Sequence, residues 1–374
     1  MDSKKNIFLF KRNNIFEKKN RKKPKLKFLY YSIIAIIIMT FIILLTFIKI
    51  RKYTNNREKK IINEYNNKGN KELKRQMFEI LSRISKQNIT SLDNVYLGYY
   101  YKLGNSLIAL NKVIFYCEIL QCKRIFLKKG YYPLIKNTIY DKKYGLTIEI
   151  LSNSNQKDMT SFFHWPHPYY TTLKIIPENR FDVFREEILN NLPKPSTDVN
   201  DLYIHIRNGD IYKEPNRGIY YAQPPLCFYE KVIEFKRFTN VYIIAVNDDY
   251  PIIQKLINEY KNTKYKRSSL KEDVSKLVYA YNIVASISSF LTSLIKLNDN
   301  LKYLWEYDIY HRPTKINHLH HSISNFTRKY NIYQMQPSPI YKKTMHFWKR
   351  SDDQLNLMIN DTCPNDFVFI KANK

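Results

Sequence analysis

The stretch "LYIHIRNGDIY", residues 202 to 212, places an imidazole, a guanidinium and a carboxylate close together as His205, Arg207 and Asp210. Read as a strand, it points Ile204 and Ile206 to one face and His205 and Arg207 to the other. The two polar groups then share a face and can meet one ligand. Arg207 offers a fixed fork of N–H donors that suits a pair of phosphates. His205 can hydrogen-bond a phosphate, a ribose or a base edge. Gly209 lets the backbone turn sharply and come close to a ligand. Asp210 either orients Arg207 or caps the next element of the chain. An internal Arg–Asp ion pair at a strand end is the competing structural reading.

A second group lies further along. "ASISSF" carries Ser286, Ser288 and Ser289 at the end of another expected strand. Backbone N–H groups and hydroxyls at such a turn make a nest for phosphate. Asp273 stands at the start of the preceding expected helix, where a carboxylate can accept the two N–H donors of a guanine edge. Helix capping explains the serines and the acid equally well. Taken in order on one α/β half, the two segments point to a site for a nucleotide diphosphate. Among metal-type clusters only "HLHH", 318 to 321, stands out, and no carboxylate pattern accompanies it. No metal site is expected.

The elements that must hold these groups emerge from periodicity. "VYLGYY" reads as a strand and "KLGN" as a turn with Gly104 at its tip. From Ser106 to Leu120 the apolar positions Leu107, Leu110, Ile114 and Ile119 keep a roughly helical period. "KRIFLKK" is the next strand, so this segment is a βαβ unit, which implies a parallel sheet. A second series begins near residue 200. "DLYIHIR", "NVYIIAVNDD" and "IVASISSF" read as strands. "PPLCFYEKVIEFKRF", "YPIIQKLINEYK" and "KEDVSKLVYAYN" read as helices. The expected body is therefore α/β, in an N-terminal half over 91–200 and a C-terminal half over 201–330. Residues 331–374 form an extension of ambiguous structure.

Before the body lies "FLYYSIIAIIIMTFIILLTFI", Phe28 to Ile48, with no charge and no polar face. A helix of that length spans a bilayer. Residues 1–27 then form a tail and 49–90 a polar stem. The tail holds eleven Lys/Arg and the first part of the stem, 49–75, ten, so the positive-inside rule favours a cytoplasmic N-terminus by a narrow margin. One early span before a large body fits a signal-anchored type II protein with its body in the lumen of the Golgi or ER. Sequons at Asn88, Asn325 and Asn360 are compatible with that topology. Cys117, Cys122, Cys227 and Cys363 permit disulfides, although Cys117 and Cys122 would not share one helical face.

The net charge is +29, which suits an anionic membrane, a phosphorylated ligand or nucleic acid. Nucleic acid is disfavoured because no zinc-finger spacing, RNP motif or basic heptad array is present. A compositional bias toward Lys, Asn, Ile, Tyr and Phe, with only 7 Gly, is the competing explanation of the charge.

Three segments in order resemble motifs of the fucosyltransferase superfamily, the protein O-fucosyltransferases among them. "HIRNGD" resembles its His-x-Arg-x-Gly-Asp motif. "KEDVSKLVYAYNIVASISSF" resembles its later Asp and Ser-Ser-Phe pattern, and "YKLGNSLIALNKVIFYCEIL" its N-terminal glycine turn and helix. The resemblance spans about residues 98 to 290. It implies a GT-B-like fold of two Rossmann-like domains facing a cleft, here preceded by a single transmembrane helix. It implies GDP-fucose as donor, inversion at the anomeric carbon, a glycan or glycoprotein acceptor, and neither cofactor nor metal. Carried over by residue, Arg207 would hold the β-phosphate and His205 would contact the nucleotide. Asp273 would read guanine, Ser288 and Ser289 would bind the pyrophosphate, and Asn105 would sit near the reacting centre. Asp210 and Glu214 are candidates for the general base by position alone. Two departures from the pattern are Asn208, where members often carry a second basic residue, and the wide spacing of Gly98 and Gly104. Another nucleotide-sugar donor, or a non-catalytic glycan-binding protein of the same fold, are the alternatives.

Overall fold

The computed structural model describes residues 71–72, 74–79, 82, 92–97, 102–151, 179–209, 222–309 and 330–370. The expected tail, membrane span and nearly all of the stem lie outside the described residues. So do Asn88, Gly98, Asp210, Glu214, Asn325 and the 318–321 histidines. Residues Lys74–Lys374 form one compact unit built on two sheets.

The first sheet has the order β1-β2-β4-β3. Its strands are β1 (Asn94–Leu97), β2 (Arg124–Lys128), β3 (Ile139–Asp141) and β4 (Leu146–Leu151). β1, β2 and β4 are parallel, and β3 is antiparallel to β4. The β3–β4 connection turns at Gly145, whose φ of 59° suits glycine. Helix α1 (Leu103–Leu120) crosses from β1 to β2, as the βαβ reading requires. It starts at Leu103, so Gly104 lies in the first helical turn and not at the tip of a loop. None of its residues is exposed, so the helix lies in the core, its buried Lys112 and Asn111 included. By length and composition it would also pass for a membrane span, but it is largely buried inside the fold. Helix α2 (Asp182–Asn190) then leads toward the second sheet.

The second sheet has the order β11-β10-β9-β8-β5-β6-β7. The strands are β5 (Leu202–His205), β6 (Val241–Ile244), β7 (Thr263–Tyr265), β8 (Asn282–Ala285), β9 (Tyr303–Tyr307), β10 (Asn331–Met335) and β11 (Phe367–Ile370). All are parallel except β11, which runs antiparallel on β10. Renumbered from β5, the six parallel strands stand in the order 3-2-1-4-5-6. That is the Rossmann arrangement, in which the strand order reverses between the first and fourth strands. Helices α3 (Leu226–Phe235), α4 (Pro251–Glu259), α5 (Leu270–Tyr279) and α6 (Ser289–Ile295) make the crossovers. Both faces are therefore covered, and β5 is buried at every position. The alternation read at Ile204 and His205 separates two buried faces, not a buried and a wet one.

Residues 331–370 add β10 and β11 to this sheet, with α7 (Pro339–Thr344) and α8 (Asp352–Asn360) between them. Trp348, Tyr341 and Met358 from this segment are fully buried against Tyr229, Phe228 and Trp305. A disulfide joins Cys227 on α3 to Cys363, 136 residues away. Asp361 lies close to both sulfurs, but these are bonded to each other and are not a thiolate pair for a metal. Closing so long a loop stabilises the fold by about 4–5 kcal/mol in the chain-entropy account. Reduction should therefore lower the melting temperature by on the order of 10 °C, measured by calorimetry with and without reductant.

Candidate functional site

Ligands of open parallel sheets bind beyond the carboxyl ends of the strands, where the strand order reverses. Here that place is the seam between β5 and β8, which pair directly from Leu202–Asn282 to Ile204–Val284. His205 and Arg207 leave the end of β5, and Ser286 to Ser289 leave the end of β8. The two segments are some eighty residues apart in sequence and touch at this seam. His205 Nδ1 lies 2.6 Å from Ser286 Oγ, and Arg207 donates a long hydrogen bond of 3.5 Å from Nη1 to the Ile287 carbonyl.

His205 is buried, with its ring tilted against Phe290 at 5.6 Å between centroids. Burial, aided by the Arg207 charge, pushes its pKa down to about 3. The imidazole is thus neutral near pH 7, and its bond to Ser286 runs in whichever direction the tautomer sets. The shift has a consequence for stability. Unfolded, this histidine takes a proton below about pH 6.5; folded, it takes one only near 3. The unfolded state binds more protons in that window, so stability is full above 6.5 and is lost as pH falls toward 3. The chain with His205→Asn should show a shallower loss of stability between pH 6.5 and 4, measured by urea unfolding at stepped pH.

Arg207 is half-buried just past the strand end. The next residue, Asn208, is buried and fixes the turn. It accepts from the Val246 N–H at 3.1 Å and donates from Nδ2 to the Asn247 carbonyl at 2.5 Å, tying the exit of β5 to that of β6. So the residue that departs from the family pattern has a structural task. Gly209 does not have a left-handed φ, and a Cβ there would meet only the Val246 side chain, at 3.4 Å. Neither backbone conformation nor packing therefore demands a glycine at position 209.

The three serines divide their work. Ser286 serves His205. Ser288 is the N-cap of α6, its Oγ accepting the Phe290 N–H at 3.2 Å. That is the capping alternative, and it uses the Ser288 oxygen as an acceptor while its O–H remains a donor. Ser289 opens the helix and is half-buried.

The start of α1 completes the site. A Cβ built on Gly104 would lie 2.6 Å from the Ser289 carbonyl carbon and closer still to the Phe290 backbone N and Cα. Real side chains do not come so close, so only glycine allows this contact. Ser293 Oγ lies 2.9 Å from the Gly104 carbonyl and 2.8 Å from that of Ser289, locking the two helices together. Asn105, half-buried, comes directly after Gly104 and is carried to the edge of the serine turn. The first turns of α1 and α6 thus meet, and α6 opens two residues after Ile287, whose carbonyl accepts from Arg207.

Asp273 lies elsewhere on the same edge. The capping box of α5 is made by Ser269 and Glu272, which leaves Asp273 as a second acid in the first turn. The Ser268 hydroxyl donates to its Oδ1. Burial raises its pKa, against the opposing effects of Ser268 and Lys276. Its charge is felt by Tyr265, the last residue of β7, together with those of Asp248, Arg267 and Asp249. The structure therefore groups His205, Arg207, Ser286, Ser288, Ser289 and the Gly104–Asn105 turn, and sets Asp273 on the β7 flank.

Glu306 escaped the sequence reading. It lies near the end of the apolar β9, pairs in register with Ala285 and is buried next to the exit of β8. A lone acid in "YLWEY" was the available signal.

No protein-family model matches the chain, and no curated protein matches it either. Among solved structures it is similar to the E. coli heptosyltransferase WaaC with ADP, at 8% identity and a TM-score of 0.35. The match covers 72% of this chain and 99% of that one. A likeness of that degree carries no argument about chemistry, which rests on the residues themselves.

Proposed function

We propose that the protein is an inverting glycosyltransferase that draws its sugar from a nucleotide diphosphate donor, with GDP-fucose as the donor. One observation supports this above the rest. A cationic side chain, a neutral imidazole and a serine turn converge at the reversal point of a Rossmann sheet, where such sheets hold nucleotides.

The roles derive from the charge that develops. Breaking the bond from sugar to phosphate leaves negative charge on the β-phosphate and a positive, oxocarbenium-like sugar. Arg207 meets the phosphate charge, and the backbone N–H groups of the turn add donors. Ser288, whose oxygen caps the helix, donates through its O–H and its backbone N–H, and Ser289 adds its own hydroxyl for the ligand. Being neutral, His205 offers a hydrogen bond without a charge and shapes the turn through Ser286. Asn105 faces the acceptor side. Asp210 takes the proton of the acceptor hydroxyl as that oxygen attacks the anomeric carbon from the face opposite the leaving diphosphate. Asp273, on the flank, reads the guanine edge. The enzyme is anchored by residues 28–48 as a type II protein of the Golgi or ER, with a glycan or glycoprotein as acceptor and no cofactor or metal.

The test is a thermal-shift series on the full-length chain with GDP, UDP and ADP. A ligand bound by the folded state alone raises the melting point. GDP should do so, by about 2.7 kcal/mol of stability at a hundredfold excess over its Kd, and UDP and ADP much less. Equal shifts with all three nucleotides would remove the guanine-reading role of Asp273. A GDP shift without transfer from GDP-fucose to any glycan would favour a binding protein of the same fold.

A further inference from the structure

Cys117 and Cys122 stand five positions apart, a spacing that separates two residues around a continuous helix. The helix is not continuous there. α1 ends at Leu120, and Gln121 takes a left-handed conformation with φ 62°. The N–H groups of Gln121 and Cys122 both return to the Cys117 carbonyl, the latter at 2.9 Å. This closed helix end folds the residue after the left-handed position back over the last turn. As a result Cys122 comes to lie against Cys117. Both thiols are buried, Cys122 at 3% and Cys117 at 1% exposure.

A disulfide requires side chains that face each other across a short span, with Cα atoms roughly 4.4–6.8 Å apart. A closed helix end of this kind brings these two positions side by side, and a contact between their side chains commonly accompanies it. The same compact unit already contains one cross-link, Cys227–Cys363, so this chain matures where thiol pairs are oxidised.

We infer that Cys117 and Cys122 form a second disulfide, a small staple that locks the end of α1 to the start of β2. The structure shows the pair in its reduced form. The reaction is thiol–disulfide exchange with a low-molecular-weight disulfide such as oxidised glutathione. One cysteine, as thiolate, attacks the oxidant and releases one equivalent of its thiol. The second then displaces the remaining half, forming the Cys117–Cys122 bond and releasing the other equivalent. Two protein thiols are oxidised and one oxidant disulfide is reduced, which balances atoms and electrons. Burial pushes the Cys117 thiol well up and closes it off from solvent, so exchange takes place before the core closes. Once made, the bond is shielded from reductant by the same burial. Its place matters because the other end of α1 carries Gly104 and Asn105, the turn packed on α6.

The experiment uses the full-length chain made in an oxidising secretory compartment. The protein is denatured without reductant, its free thiols are alkylated, and it is digested with trypsin. Residues 113–123 form a single tryptic peptide that contains both cysteines. The expected peptide is unalkylated, two hydrogens lighter than the dithiol form, and accepts two alkyl groups only after reduction. Recovery of the doubly alkylated peptide before reduction, from a sample in which Cys227 and Cys363 are joined, would overturn the inference. A bond from Cys117 or Cys122 to any other cysteine would overturn it equally. In the Cys117→Ser chain the same peptide should carry one alkyl group at Cys122, which shows that the reagent reaches that position.

Discussion

Replacing Arg207 by Ala should lower kcat by about 10²–10³-fold while leaving the fold intact, the usual cost of removing a donor aimed at developing charge. The fold should survive because the side chain is half-buried and the turn around it is fixed by Asn208. The loss should fall on kcat more than on KM. The diphosphate gains negative charge as the sugar leaves, so Arg207 contributes more in the transition state than in the bound donor. Arg207→Lys should recover only a small part, since an ammonium lacks the planar fork that meets two phosphate oxygens at once. The substitution also has an internal signature. The Arg207 charge helps hold the His205 pKa down, so its removal should move the histidine upward while burial still keeps it below its usual value. Steady-state kinetics with GDP-fucose, together with histidine NMR titration, read both effects. Unchanged kcat would remove Arg207 from the chemistry.

Gly104→Ala should be the most damaging small substitution in the described part of the chain. An alanine in a helix is ordinarily worth up to about 1 kcal/mol over glycine. Here the added methyl would press on the backbone of Ser289 and Phe290, which has no rotamer to escape through. Overpacking of this kind costs about 1–3 kcal/mol, so the sign of the usual preference reverses. The first turn of α6 must shift, and with it the serine turn beside Arg207. We expect a lower melting temperature together with at least roughly tenfold weaker nucleotide binding, the equivalent of about 1.4 kcal/mol. Gly209→Ala is the matched control. Its methyl meets one side chain at an ordinary distance, and the backbone there is not left-handed, so stability should change little. Calorimetry and nucleotide titration of the two variants separate a close backbone approach from a general intolerance to alanine.

The contrast between these glycines shows what could be read from the residues alone. Glycine types mark both positions, but only the fold tells which one touches another backbone. The βαβ order and the strands β5, β6 and β8 arise from apolar runs, and they were legible. The start of α1 was not. Glycine and asparagine are weak helix formers, and the contact with α6 overrides that preference. Short strands such as β3 and β7, three residues each, carry too little pattern to declare themselves. Strand order is a property of the whole sheet, so nothing in "IHIR" or "SISS" alone says that they are neighbours. The bond of His205 to Ser286 and the clamp of Asn208 on Asn247 depend on that order. The same holds for Lys112 and Lys296. Both are brought down to about 8 by burial, Lys296 also by the charge of Lys112, and neither differs in sequence from the many other lysines. For Cys122 the missing fact was a single left-handed residue.

The central idea is that the end of β5 and the turn after β8 hold one diphosphate between them. Crystals of the protein soaked with GDP test it most directly. Density for the two phosphates should lie within hydrogen-bond reach of the Arg207 guanidinium and of the Ser288–Ser289 backbone. GDP bound elsewhere on the protein, with the seam between β5 and β8 holding only solvent, would contradict it.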